Sequence, residues 1–219
     1  MSFHWEINHG FDVHYSDKHD KCFKPEKLKK WLNELDPQKK WCIAKQNHSS
    51  IIISHQQLNH FKNFDGLVCD DINNGLVVFG SDCPGLIVVT KDLKFAAAHC
   101  GWRGTVSGIV RNAVEALTKV SSSSKNEWTA FIGPGISVEH FEVGEDVFKL
   151  PIWKREAIKP ISNKKAYLNL PLSIELQLNE LGVMNVIQSS ICTYAHEDLH
   201  SYRRDQFYAN QVLSVYFKG

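Results

Sequence analysis

Three short segments place metal-binding side chains where strands should begin or end. KQNHSSIII sets His48 just ahead of a β-branched run, GSDCPGLIVV sets Cys83 between two apolar runs, and KFAAAHCGWRG sets His99 at the close of another. Strand ends from distant parts of a chain can meet at one edge of a sheet. Two imidazoles and a thiolate suit Zn²⁺, and three protein ligands leave a fourth position for water. A water held there can lose its proton near pH ~7. Spacing alone does not settle the matter. A free cysteine is commonly a small buried hydrophobe, and His48 reads equally well as an ordinary hydrogen-bonded histidine.

The segment GWRG adds a second kind of chemistry. Glycines on both sides of Trp102 and Arg103 permit tight turns and close approach of backbone to a ligand. A helix beginning near Thr105 would offer free N–H groups to an anion, and Arg103 could fork onto a phosphate. Trp102 could stack on a base, although a core role is favoured. The later run SYRRD places Arg203 and Arg204 ahead of the last strand, either as a second anion clamp or as a surface turn with an Arg–Asp pair.

These residues need a scaffold. NGLVVFG and GLIVVT are short apolar runs bounded by turn residues, and KFAAAH is a third; all three read as buried strands. EWTAFIGPG supplies another strand and a turn, and MNVIQSSICTY and FYANQVLSVYF read as closing strands. After Gly104, Val106, Ile109, Val110, Ala113, Val114 and Leu117 trace one face of a helix. LPLSIELQLNELGV reads as a helix ended by Gly182. Residues 1–45 show little clear period, and the four serines at 121–124 read as a surface loop. Strands and helices mix without strict alternation, which is the pattern of an α+β fold with mixed sheets.

Composition bounds the rest. A chain of 219 residues suits one domain over 1–219. Hydrophobic residues make up 43% and the net charge is +1, so nothing argues for nucleic acid or a membrane surface. The six cysteines show no C-x-x-C spacing, and the N-terminus lacks a signal-peptide pattern. Reduced thiols and a cytoplasmic location are expected.

Taken in order, KQNH, SDCPG, HCGWRG, GPGI, FEVG, ICTY and SYRRD span roughly residues 45–205. This set resembles the laccase-domain proteins, once described as multicopper polyphenol oxidases. They are now regarded as purine nucleoside phosphorylases with adenosine deaminase and methylthioadenosine phosphorylase activity. The resemblance implies a zinc-dependent phosphorylase acting on adenosine, inosine, guanosine and methylthioadenosine, and also deaminating adenosine. The expected fold is mixed β-sheets in a layered α/β/β/α sandwich. His48, Cys83 and His99 fall on the family's metal-binding and catalytic positions. Arg103, Arg203, Arg204 and Asp82 are expected to contact nucleoside or phosphate. Asp82 and Asp65 are the candidate proton donors to the purine, and a turn cap is the other role for such a residue. A monomer or weak homodimer is expected.

The chain also departs from the family. No glycine-rich motif with a preceding arginine is evident near the N-terminus, Ser49 replaces a glycine, and His140 lies near a position where the family often has cysteine. Three rivals follow: a cysteine hydrolase with Cys83 as nucleophile and His99 as base, a catalytically weak metal-binding relative, and a copper phenol oxidase. The last is disfavoured, because a blue-copper site wants a weak axial ligand and Met1 and Met184 are the only methionines.

Overall fold

A computed structural model describes residues 2–207 and 209–219. In chain order the elements are β1 (Phe3–Ile7), β2 (Phe11–Tyr15), α1 (Pro25–Leu35), β3 (Lys40–Ile43), β4 (Ile52–Ser54), β5 (Gly66–Cys69), β6 (Asn74–Gly80), β7 (Gly85–Val89), β8 (Phe95–His99) and α2 (Trp102–Val106). They continue with α3 (Ile109–Thr118), β9 (Thr129–Ile132), β10 (Glu142–Gly144), α4 (Glu145–Phe148), β11 (Ile158–Ser162), β12 (Lys165–Leu168), α5 (Leu170–Glu180), β13 (Asn185–Gln188), α6 (Tyr202–Asp205) and β14 (Gln211–Phe217).

The strands form a five-stranded sheet in the order β1-β2-β14-β6-β3 and a six-stranded sheet in the order β13-β9-β7-β8-β5-β4. A small sheet, β10-β12-β11, lies apart. Both large sheets are mixed: β3 runs parallel to β6, β4 to β5 and β13 to β9, while the other pairs are antiparallel.

Side-chain alternation sorts the residues into layers. Phe11, Val13, Tyr15, Leu76, Val78, Leu213 and Val215 of the first sheet meet Leu67, Ile87, Val89, Phe95 and Phe131 of the second. On the outer face of the first sheet, Leu28, Trp31 and Leu32 of α1 cover Val77 and Val212. On the outer face of the second, α3 and α5 cover Val68, Leu86, Val88, Ala96 and Ala98. The result is the expected α+β fold, layered α/β/β/α. Sheets covered on both faces need strands that are apolar throughout, which is why β7 and β8 are buried at every position.

Local expectations differ from the structure in three places. Residues 1–45 contain β1, β2, α1 and β3. The helix after Gly104 is two helices, because Gly108 at φ 91° interrupts it between α2 and α3. The strand expected over 184–194 stops at Gln188, and Ser190 lies in the left-handed region at φ 56°. The four serines do form a loop at the surface, as expected, and Ser121 Oγ and Ser123 Oγ donate to Asp92 at 2.6 and 2.9 Å. Gly182 ends α5 as expected, at φ 89°. No helix among the described residues is long and apolar enough to cross a membrane.

Candidate metal centre and substrate cavity

Strand register assembles the centre. Gly85 on β7 pairs with His99 on β8, so Cys83, two residues earlier, arrives beside the end of β8. Gly66 on β5 pairs with Ala98, which sets Asp65 against His99. The loop leading into β4 carries His48. One ligand atom each from His48, Cys83 and His99 lies within 4.8 Å of the others. The two imidazole centroids are 4.9 Å apart at 62°. His99 is buried, Cys83 half-buried and His48 exposed, so the group faces an open side.

Asp65 organises two of the three. Its fully buried carboxylate accepts from the backbone N–H of Asn47 (3.0 Å), His48 (3.0 Å) and Ser49 (2.8 Å) and from Ser49 Oγ (2.8 Å). His99 Nδ1 donates to it at 2.8 Å. Burial pushes the Asp65 carboxyl up, but the hydrogen bonds from His99 and the 47–49 loop outweigh this and bring it down to about 2. A carboxylate can only accept, so the His99 proton lies on Nδ1 and the Nε2 lone pair is left for a ligand. The same carboxylate holds His48 in the left-handed region at φ 63°, a conformation uncommon outside glycine. Asp65, considered from sequence as a proton donor, is instead fully engaged as an acceptor.

The Cys83 thiol is pushed up by burial, yet its hydrogen bonds with His48 and His99 bring it down to about 7. Burial lowers His99, but Asp65 and Cys83 raise it more, to about 9. Without metal the pair is therefore predisposed to a thiolate facing an imidazolium.

Gly101 leaves room beside all three groups. A Cβ at this position would lie 2.9 Å from His48 Nδ1, 3.1 Å from Cys83 Sγ and 3.4 Å from His99 Cε1. An N₂S donor set with a cradle that only glycine leaves open fits a zinc-type divalent ion.

The centre opens onto a cavity of about 530 Å³, lined in part by Trp102, Arg103, Phe141, Tyr202, Arg203 and Phe207. That volume is in the range of small-molecule sites, roughly 300–1,000 Å³. The helix at GWRG starts at Trp102, earlier than expected, so Arg103 stands in its first turn. The Arg103 guanidinium lies 4.3 Å from the Trp102 ring and has no hydrogen-bond or carboxylate partner among the described residues. Arg203 also lines the cavity; its Nη1 donates to the carbonyls of Glu142 (3.0 Å) and His140 (3.4 Å). Asp82 is at the cavity wall with both oxygens engaged, accepting from Thr193 Oγ1 at 2.6 Å and from the Arg203 N–H at 2.7 Å. His140 stacks on Tyr194 at 4.3 Å, outside the ligand group.

Arg204 is placed differently from the expectation. Its Nη1 donates to the carbonyls of Thr193 (3.1 Å), Tyr194 (2.8 Å) and His196 (3.3 Å), its Nη2 donates to the Leu199 carbonyl, and Nε pairs with Asp205 at 2.6 Å. It staples the 193–205 loop and is not among the cavity-lining residues. Arg204→Ala should therefore cost stability: about 3 kcal/mol for the charged hydrogen bonds, or a melting temperature lower by roughly 6–12 °C in calorimetry. The KM for any ligand of the folded protein should stay within about threefold, as expected of a group outside the site.

Sequence reading did not single out Gln46, Ile136, Phe141, Leu170, Tyr202, Phe207 or Asn210, which also line the cavity. Gln46 had a signal within KQNH: its side chain clamps the Phe79 backbone as a strand would, at 2.7 and 2.8 Å. Phe207, 60% exposed, had none.

The four layers and the His–Cys–His group at a sheet edge define an α+β protein with a candidate metal centre. The chain belongs to the family described as multi-copper polyphenol oxidoreductase laccase, which matches residues 5–216. It is 30% identical over 174 residues to a Campylobacter jejuni protein named purine nucleoside phosphorylase, covering 79% of this chain and 75% of that one. A Clostridium acetobutylicum protein of the same name is 30% identical over 196 residues, covering 87% and 80%. In fold the chain resembles the crystal structure of a Neisseria meningitidis protein at TM-score 0.85 and 22% identity, covering 100% and 99% of the two chains. It also resembles YlmD from Geobacillus stearothermophilus at TM-score 0.84 and 20% identity over the whole of both chains.

Proposed function

We propose that this chain is a zinc-dependent purine nucleoside phosphorylase acting on adenosine, inosine, guanosine and methylthioadenosine, with adenosine deaminase activity at the same site. The observation that carries the reading is the meeting, in one cavity, of an N₂S donor group and the Arg103 guanidinium, which has no hydrogen-bond or carboxylate partner among the described residues. The names of the relatives support the reaction class. A zinc ion held by His48, Cys83 and His99 would supply a Lewis acid with an open coordination position.

The chain's own residues divide the remaining work. Trp102, Phe141, Tyr202 and Phe207 offer ring faces and edges to a planar purine. Arg103 presents its fork to phosphate, and Arg203, anchored on backbone carbonyls, adds positive charge to the cavity lining. Phosphorolysis then needs an oxygen of hydrogen phosphate to bond to ribose C1′ as the bond from C1′ to the purine nitrogen breaks, with the hydrogen phosphate proton ending on that nitrogen. That path passes through an oxocarbenium-like state, which a nearby phosphate dianion stabilises.

The test is turnover by zinc-loaded protein with each nucleoside, with and without phosphate. Free base should appear only with phosphate, and inosine should appear from adenosine without it. Arg103→Ala should raise KM for phosphate by about tenfold, the mark of lost ground-state binding. Cys83→Ala should lower kcat/KM by at least ~10²-fold. Absence of base and inosine from the zinc-loaded wild type overturns the reading.

A second reading, a cysteine hydrolase, is favoured by the thiol brought down to about 7 between two imidazoles. It requires that activity survive chelation and be lost on alkylation of Cys83. The copper oxidase reading gains nothing from Met184, which is 65% exposed and does not line the cavity.

A further inference from the structure

The first two strands carry another group of ligands. Phe11, Val13 and Tyr15 of β2 point into the core between the sheets, so Asp12 and His14 point to the opposite face. His4 on β1 pairs directly with His14 on β2. Asp12 Oδ2 lies 3.4 Å from His4 Nε2 and 3.9 Å from His14 Nε2. One ligand atom from each of the three lies within 4.8 Å of the others. The centre described above belongs to the other sheet, so the two groups are separate.

The surroundings are unusual for a plain surface cluster. Asp12 is 3% exposed. The imidazoles of His4 and His14 stack at 4.4 Å and 17°, and Tyr216 stacks on His14 at 5.8 Å and 14°. His14 Nε2 is buried and has no hydrogen-bond partner among the described residues, although it lies only 3.9 Å from the carboxylate. Ser214, paired with His14 from β14, has a buried Oγ that likewise has no partner among the described residues. Buried polar atoms are normally satisfied, and orphans gathered at one point suggest a missing ligand. Lys218 Nζ is the neighbouring cation, 3.3 Å from Asp12 and 3.4 Å from Glu6, so Glu6 remains its partner if Asp12 is taken.

We infer that His4, Asp12 and His14 form a second binding site for a divalent transition-metal ion, with zinc the probe of choice. Two imidazoles and one carboxylate are a common donor set for that class. The strand register holds all three on one face of a hairpin. A bound ion ties the edge strand β1 to β2.

The experiment uses untagged, metal-stripped protein and zinc titration by calorimetry, with metal content measured by mass spectrometry. Wild type should bind two equivalents and Cys83→Ala one. His4→Gln should also bind one, and the double variant none. His4 has a side chain 40% exposed, so its replacement leaves the fold intact. In the Cys83→Ala background, zinc at a hundredfold excess over Kd should raise the melting temperature by about 5–10 °C. The shift should vanish in the double variant. Cobalt bound to Cys83→Ala should show d–d bands without thiolate charge transfer. Loss of all stoichiometric zinc in Cys83→Ala, or equal binding with and without His4, overturns the inference. Neither result bears on nucleoside turnover, which His4→Gln should retain.

Discussion

Gly101→Ala is expected to give a folded protein that has lost its grip on metal. The backbone there is extended at φ −63° and ψ 158°, so alanine fits the chain geometry. The added methyl does not fit the space. At 2.9 Å from His48 Nδ1 and 3.1 Å from Cys83 Sγ it is closer than ordinary contacts allow. Overpacking of this kind costs about 1–3 kcal/mol when side chains must shift. The group that can shift is exposed His48, and its movement breaks the ligand group. Zinc affinity should fall by roughly 10–100-fold or more, in line with other disturbances around metal ligands. Calorimetric titration reads it directly. Wild-type affinity in Gly101→Ala would mean that the three groups do not share an ion.

Asp65→Asn should be as damaging, for a different reason. Asparagine has one acceptor oxygen where Asp65 uses two against five donors. If the amide oxygen serves Asn47 and Ser49, the NH₂ group faces the His48 N–H and His99 Nδ1. His99 would then carry its proton on Nε2, the nitrogen meant for the ligand. Removing a buried, fully bonded charge costs about 3–5 kcal/mol, or roughly 6–20 °C in melting temperature. Zinc affinity should drop by about 10–100-fold.

A pH signature separates this from a purely structural defect. In metal-free wild type, His99 keeps its proton up to about 9 and Cys83 up to about 7. Each ion bound should therefore displace at least two protons below pH 7 and about one between pH 7 and 9. The signs agree with linkage. The raised His99 adds stability that is fully present below its ordinary value of 6.5 and is lost as pH rises through about 9. In Asp65→Asn the displacement between pH 7 and 9 should disappear. An unchanged slope of log affinity against pH would sink the orienting role of Asp65.

What could be read in advance follows from burial. GLIVV and FAAAH were legible as strands because helices and a second sheet cover both faces, leaving no room for polar residues. FHWEI and FDVHY alternate strictly, yet their polar positions hold His4, Asp12 and His14, and such residues read as loop. Cys83 and His99 were legible through their places at strand ends, and the Asp65 carboxylate that orients His99 was visible only as a generic acid. Neighbouring arginines at 203 and 204 look alike in a sequence, but adjacent residues in a helical turn face different ways. One reaches the cavity and the other turns back into its loop. The helix break at Gly108 was hidden because Val106 and Ile109 keep a helical spacing across it.

The position of β14 between β2 and β6 shapes how the molecule can be made. Tyr15 on β2 and Gln211 on β14 touch across 196 residues of chain. During synthesis the β1–β2 hairpin must wait, with one edge unpaired, until nearly all the intervening chain has left the ribosome. Such distant pairings slow folding and leave sticky edges exposed in the meantime. The six-stranded half, whose neighbours are closer in sequence, can assemble first and present the Cys83–His99 corner before the other half closes over it.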